Sequence, residues 1–283
     1  SHIKHNPLVG KMIDEGVVLY SGKNRQKKSV FTPEESIRVQ FAIGSDMMVC
    51  LDDFTPPEAN AYRAAQSVER TIAWAHRSKA EFEKQIQIYG YNDKNRPLLI
   101  APIQGHNFYN LRQKCTQELA TLKFDIYGLG GWPFQTNGQF DYEMCQRNNE
   151  GLPADSLLFA LGVGSPENIV CLNKFGYHFF DCVLPTRDAR HQRLYVFNQD
   201  PAQIDFDHDS SWYHFLYLNR APLAQSLEPV SPYCDCFTCQ HHSAAYLHHL
   251  FKIKDALAYR LATLHNLHFY ARLMQELQKR RAS

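Results

Sequence analysis

Apolar positions along the chain alternate between short continuous runs and stripes repeating every three to four residues. The stretch "FTPEESIRVQFAIGSDMMVCLDD" (31–53) predicts a short helix followed by a strand. Thr32 can cap the helix, Pro33 suits its first turn, and "MMVCL" is a continuous run of the kind a fully buried strand carries. "TPPEANAYRAAQSVERTIAWAHRSKAEFEKQ" repeats the helical signal at greater length. Ala61, Ala64, Val68, Ile72 and Ala75, at spacings of 3, 4, 4 and 3, form one apolar face.

The alternation continues. "PLLIAPIQG" reads as a strand, Leu111, Cys115, Leu119 and Leu122 mark a helix, and "FDIYGLGG" and "LLFALGVG" are further strands. "SPENIVCLNKFG" is a helix with Ser165 as cap, Pro166 in the first turn and Gly176 as stop, and "YHFFDCVLP" closes the series. Strand starts near 98, 124, 157 and 177 recur at about the length of a βα unit. Continuous apolar strands joined by helices imply a parallel sheet covered on both faces, either open and doubly wound or closed into a barrel. From about 198 to 233 the pattern lapses into an aromatic- and Asp-rich stretch. Beyond it the chain reads as helical, with Leu250, Ile253, Leu257, Leu261 and Leu264 as one expected face.

With 283 residues the chain can bury a substantial core, and a formal charge of +1 offers no global attraction for nucleic acid. No run of eighteen apolar residues is present, so no membrane partner is expected, and the opening "SHIKHNPLVG" resembles no signal peptide. Eight cysteines occur, at 50, 115, 145, 171, 182, 234, 236 and 239. The first five are scattered, several in apolar surroundings, as small buried hydrophobes are. Reduced thiols and a cytoplasmic location are expected.

"CDCFTC" (234–239) is different, with three cysteines in six positions. Thiolates plus an imidazole satisfy tetrahedral zinc. Cys234, Cys236 and Cys239 can converge from a tight loop, and the fourth ligand is expected on the helical segment behind them. His241, His242, His248, His249, His265 and His268 are the candidates; the first two are close in sequence, whereas His265 leaves room for a helix, a turn and part of a second helix. Four protein ligands leave no open position, so the ion is expected to be structural.

Together with this cluster, "GSDMMVCLDD", "SVERTIAWAHRS", "IQG", "GLGG", "LGVGSPENIV", "FFDCVLPTRDAR", "SAAYLHHLF" and "LHNLHFY" resemble the tRNA-guanine transglycosylase (queuine tRNA-ribosyltransferase) family. The resemblance runs from about Glu15 to Leu277. It implies an α/β fold, a (β/α)8 TIM-type barrel with its first strands missing from this chain and a zinc-binding helical insertion near the C-terminus. The expected division is a partial barrel carrying the active site over 1–197 and a zinc-binding subdomain with C-terminal helices over 198–283. It makes Cys234, Cys236, Cys239 and His265 the ligands of a structural Zn2+.

The implied reaction replaces guanine at the wobble position of a tRNA anticodon loop by a 7-deazaguanine, queuine or its precursor. The resemblance assigns Asp181 as the nucleophile that forms a covalent bond to the ribose, and a double displacement retains configuration at the sugar. Asp52, Gln104, Gly130, Gly131 and Leu161 become the base-binding residues. Asp52 can accept from the N1–H and amino group of guanine, and Gln104 and the Gly131 N–H can donate to its carbonyl oxygen. Arg187 and Arg190, in "PTRDAR", are placed to bind phosphates or read a neighbouring base. The closing segment carries Lys252, Lys254, Arg260, Arg272, Lys279, Arg280 and Arg281, an RNA-facing patch or a solvated helix face.

The chain also departs from the family pattern. A "DSGGFQ"-like motif that would supply the general base is absent, and is expected upstream of Ser1 or from elsewhere. Phe54 replaces the usual bacterial Cys, and "GGWPF" replaces "GGLAVGE", so Trp132 and Pro133 are expected to reshape the base pocket. A non-catalytic zinc-containing tRNA-binding or dimerisation subunit is the alternative, and action on DNA a third reading. By resemblance, a homodimer or heterodimer is expected.

Overall fold

The computed structural model describes residues 10–21, 27–135 and 137–282. The chain folds as two compact units. The first comprises 1–161 and 174–180, the second 162–173 and 181–283.

The first unit opens with an antiparallel sheet of β1 (Gly10–Ile13), β2 (Gly16–Ser21) and β3 (Lys27–Phe31), for which the sequence reading made no provision. The βα series follows. Helix α1 (Pro33–Ile43) begins as the residues dictate, Thr32 Oγ1 accepting from the Glu35 N–H at 3.2 Å, and ends at Gly44. After β4 (Met47–Val49), α2 (Ala61–Tyr89) is capped by Asn60. It buries Ala64, Val68, Ile72 and Ala75, but Ala61 at its first turn is exposed. Next come β5 (Leu98–Ile103), α3 (Tyr109–Thr121), β6 (Ile126–Leu129), α4 (Tyr142–Arg147), β7 (Leu157–Ala160) and β8 (Tyr177–Phe180).

Strands β4 to β8 form one sheet, in that order and all parallel. Every residue of β6 and all but the first of β5 are buried, as a parallel sheet covered on both faces requires. The order brings the C-terminal ends of five strands to one edge, the side on which parallel α/β sheets carry their ligands.

The second unit contains α5 (Pro166–Lys174, to residue 173), α6 (Leu184–Arg190) and a hairpin of β9 (Arg193–Phe197) and β10 (Tyr213–Tyr217). Three helices complete it: α7 (Phe237–His241), α8 (Ala244–Lys252) and α9 (Ala256–Ala282). The stretch after 198 is therefore more regular than its composition suggested. Tyr195, Phe197, Trp212, Tyr213 and Phe215 of the hairpin meet Phe269 and Tyr270 in one aromatic cluster, with Phe197 and Phe269 stacked at 4.1 Å.

One periodic expectation is corrected. Leu250 and Leu261 are buried, but Ile253, Leu257 and Leu264 are exposed. The helix breaks between them: Lys254 adopts a left-handed φ of 58°, the Asp255 N–H returns to the Leu250 carbonyl at 2.9 Å, and α9 starts afresh. The true buried stripe of α9 runs through Ala258, Leu261, Ala262, His265, Phe269, Leu273 and Leu277. A polar residue in the middle of that stripe disguised it.

Candidate active site and metal centre

Cys234, Cys236, Cys239 and His265 come together, their ligand atoms all within 4.8 Å of one another. Cys236 caps α7, its sulfur accepting from the Cys239 N–H at 3.5 Å, which folds the loop so that both thiols face one point. Thr238 Oγ1 donates to the Leu261 carbonyl at 2.8 Å and ties this turn to α9, one turn before His265. His265 Nδ1 lies 3.6, 3.7 and 3.3 Å from the sulfurs of Cys234, Cys236 and Cys239. An ion bound tetrahedrally at ~2.3 Å by thiolate and ~2.0–2.1 Å by imidazole separates those donors by about 3.6 Å. The donor set fits such an ion.

The electrostatics point the same way. Hydrogen bonds from Cys234 and Cys239 hold the Cys236 thiol far below its usual range, and the same clustering pushes Cys239 up. Three sulfurs this close cannot all ionise unless a cation sits between them. Burial pulls the His265 imidazole down, but hydrogen bonding and charge from Cys234 and Cys236 outweigh it and raise it to about 9. Cys236 and Cys239 also belong to the apolar core formed by Leu194, Leu218, Leu247 and Leu261, so the cluster is built into the interior of its unit.

In the first unit, candidate side chains follow successive strands. Asp52 lies three residues beyond β4 and accepts from Gln104 Nε2 at 2.5 Å; Gln104, just past β5, is fully buried. The Gln104 Oε1 has no hydrogen-bond partner among the described residues. Gly130 and Gly131 follow β6. A Cβ on Gly130 would stand 2.7 Å from Gln104 Nε2, and Gly131 has a φ of 90°, so both positions exclude larger residues. Leu161 follows β7, half-buried, against the Cα of Gly128. A hollow of ≈ 550 Å³ adjoins, lined by Glu58, His106, Phe108, Trp132 and Phe134 among others.

Asp181 is the residue immediately after β8. Its carboxylate is exposed, accepts from the Gly162 N–H at 2.7 Å and, among the described residues, makes no ion pair.

The family model for queuine tRNA-ribosyltransferase matches residues 7–281. The chain belongs to the queuine tRNA-ribosyltransferase family. Relatives bearing that name include proteins of Thermoanaerobacter pseudethanolicus and Aliivibrio fischeri, each 33% identical over 269 residues, or 95% of this chain and 65% of theirs. The Mannheimia succiniciproducens protein is 32% identical over 268 residues, 95% of this chain and 64% of its own. The chain thus spans just under two thirds of the length of these relatives.

Against that family background, two residues stand out that sequence reasoning missed. Asp53, next to Asp52, is fully buried and gripped by Arg63 at 3.1 and 3.2 Å and by Arg70 at 2.5 Å. Its main chain is held by Ser67 and Thr71 of α2. Arg112 of α3 is a fully buried guanidinium that donates to the carbonyls of Ile103, His106 and Gly130 and to the side chain of Asn148. The only advance signal was an arginine on the apolar side of a helical stripe, one position after Leu111.

Arg187 and Arg190 lie exposed in the last turn of α6. Four basic residues of the closing segment are engaged within their own unit. Arg272 and Lys279 pair with Glu276, Arg280 covers Phe206 at 4.6 Å, and Arg281 donates to the Asn173 carbonyl at 2.9 Å. Lys252, Lys254 and Arg260 remain exposed. Of the residues expected to alter the pocket, Trp132 is largely exposed, Phe54 half-buried and Pro133 buried.

Proposed function

We propose that the protein exchanges a purine base on tRNA, replacing guanine at the anticodon wobble position by a 7-deazaguanine such as queuine or its precursor. The observation that carries this reading is the succession of Asp52, Gln104, Gly130–Gly131, Leu161 and Asp181 after the C-terminal ends of five consecutive parallel strands. Family membership supports the same reaction. The five strands are read as part of a (β/α)8 barrel.

An Asp181 carboxylate oxygen attacks C1′ of the flipped-out nucleoside, and the C1′–N9 bond breaks as guanine leaves with a proton. The incoming base loses its N9 proton, attacks C1′ and displaces the carboxylate. Configuration is retained over the two displacements, and protons balance over the cycle. Exposure and a single main-chain hydrogen bond leave the second oxygen of Asp181 available for attack. Asp52 accepts from the donor edge of guanine, and Gln104 and the Gly131 N–H face its carbonyl oxygen.

Arg187 and Arg190 contact the RNA backbone or a neighbouring base. Zinc, held by Cys234, Cys236, Cys239 and His265, has no open position in this scheme and serves structure. The protein acts in the cytoplasm as a dimer. Incubation with tRNA and labelled guanine tests the reading: incorporation that depends on Asp181 supports it, and incorporation unchanged in Asp181→Asn defeats it.

A further inference from the structure

Arg112 is an unusual cation. It is fully buried, and among the described residues its acceptors are three main-chain carbonyls and the Asn148 side-chain oxygen, at 2.5, 3.3, 3.0 and 2.8 Å for His106, Ile103, Gly130 and Asn148 respectively. Sequestering a guanidinium from water is costly, and an arginine retained in such a place holds a geometry that its planar fork of donors suits. Two of those carbonyls flank Gln104 at the end of β5 and just beyond it; the third belongs to the segment following β6.

The Gly130 contact has a directional consequence. No cis peptide occurs among the described residues, so the Gly130 C=O and the Gly131 N–H lie in one plane and point in opposite directions. Fixing the carbonyl on Arg112 Nη2 therefore aims the Gly131 N–H away from the guanidinium. On the preceding side, the Gly130 N–H is held by the Ile103 carbonyl at 3.0 Å, and that oxygen also accepts from Arg112 Nη1. Both peptide groups flanking Gly130 are thus pinned. The Gly131 N–H itself has no hydrogen-bond partner among the described residues, and neither has the buried Oε1 of Gln104, which lies 3.4 Å from where a Gly131 Cβ would be.

We infer that Arg112 is a positioning residue for base selection: by holding the Gly130 carbonyl it presents the Gly131 N–H as a fixed donor to the 6-oxo group of the bound purine. This rests on the base-exchange reading for the identity of the ligand, though not for the chemistry at the ribose. A donor fixed before the ligand arrives discriminates against bases whose 6-substituent accepts poorly.

The test compares guanine with 6-thioguanine, which keeps the N1–H and amino group but offers a weaker, larger acceptor at position 6. Affinities are measured by calorimetry on the purified full chain and its Arg112→Lys and Arg112→Gln variants, beside incorporation of labelled guanine into tRNA. The expected result is an approximately tenfold loss of guanine affinity in both variants, with the preference for guanine over 6-thioguanine falling toward unity. An unchanged preference, with both bases weakened alike, overturns the inference by reducing Arg112 to a structural anchor. If wild-type protein binds guanine but incorporates none, the exchange reading fails while the positioning role stands. If it binds neither base, both fail. Should the Arg112 variants not fold, Asn148→Ala, which loosens the far end of the guanidinium, is expected to lower the preference about threefold; no change there overturns the inference equally.

Discussion

His265 Nε2 donates to the main-chain oxygen of Tyr195 at 2.8 Å, while Nδ1 of the same ring faces the sulfurs of Cys234, Cys236 and Cys239. A carbonyl can only accept, so Nε2 carries a proton, and Nδ1 is the ring nitrogen left to offer its lone pair to an ion held among the thiols. The β9–β10 hairpin, which supplies Tyr195, thereby sets both the tautomer and the ring orientation of the ligand histidine.

Removing that ligand is expected to cost the metal and much of the stability of its unit. His265→Ala or Cys239→Ser should lower bound zinc from about one equivalent to near zero by elemental analysis. The unfolding midpoint should drop by about 10 °C or more, since a structural zinc contributes many kcal/mol. A chelator should reproduce the effect in wild type and leave the variants unchanged.

Asp181→Asn should separate chemistry from folding. The amide oxygen can still accept from the Gly162 N–H, and the site is exposed, so stability should stay within about 0.5 kcal/mol by urea denaturation. Incorporation of labelled guanine should fall by more than about a thousandfold, because an amide cannot form the ester to ribose.

Asp53 predicts the reverse pattern. Asp53→Ala removes the buried carboxylate that Arg63 and Arg70 share and leaves Arg70 with Asp14 as its carboxylate partner, and a loss of about 3 kcal/mol is expected in urea denaturation. Guanine affinity should weaken as well, because the clamp on Asp53 fixes the backbone that presents Asp52.

A pH effect follows from Glu34. Bidentate hydrogen bonds from Arg77, both 2.7 Å, hold its carboxyl down at about 2 against an ordinary value of 4.5. The folded value is the lower one, so the pair's contribution is complete above pH 4.5 and is lost as pH falls from there toward 2. With solvent screening it amounts to about 1 kcal/mol. Arg77→Met should remove that much at pH 7 and flatten the stability profile across this interval.

What was legible in advance was whatever local chemistry encodes. Thr32 before Pro33, the apolar run at 98–103 and the Ser165-Pro166 pair each specify their element through neighbours a few residues away, and the βα alternation emerged from these signals alone. The resemblance resting on "CDCFTC" and "LHNLHFY" identified His265 among six candidate histidines, and the structure brings those four residues together. The β9–β10 hairpin escaped notice because its strands are separated by a polar and aromatic stretch without period. The stripe of α9 was misread because His265 and Asn266 occupy buried positions that a hydrophobic count leaves blank.

By itself, then, the sequence determined the alternation of strands and helices between α1 and β8, the parallel sheet and the chemical types available at its strand ends and metal cluster, because periodicity, caps and cysteine spacing act over one or two turns of chain. Only the tertiary structure decided that Arg112 would lie buried against three carbonyls, that Asp53 would be gripped by two arginines of α2, and that Tyr195 would orient His265. These are contacts between groups on different elements, 6 to 70 residues apart. Their free energy comes from desolvation and geometry that exist only once the elements have packed.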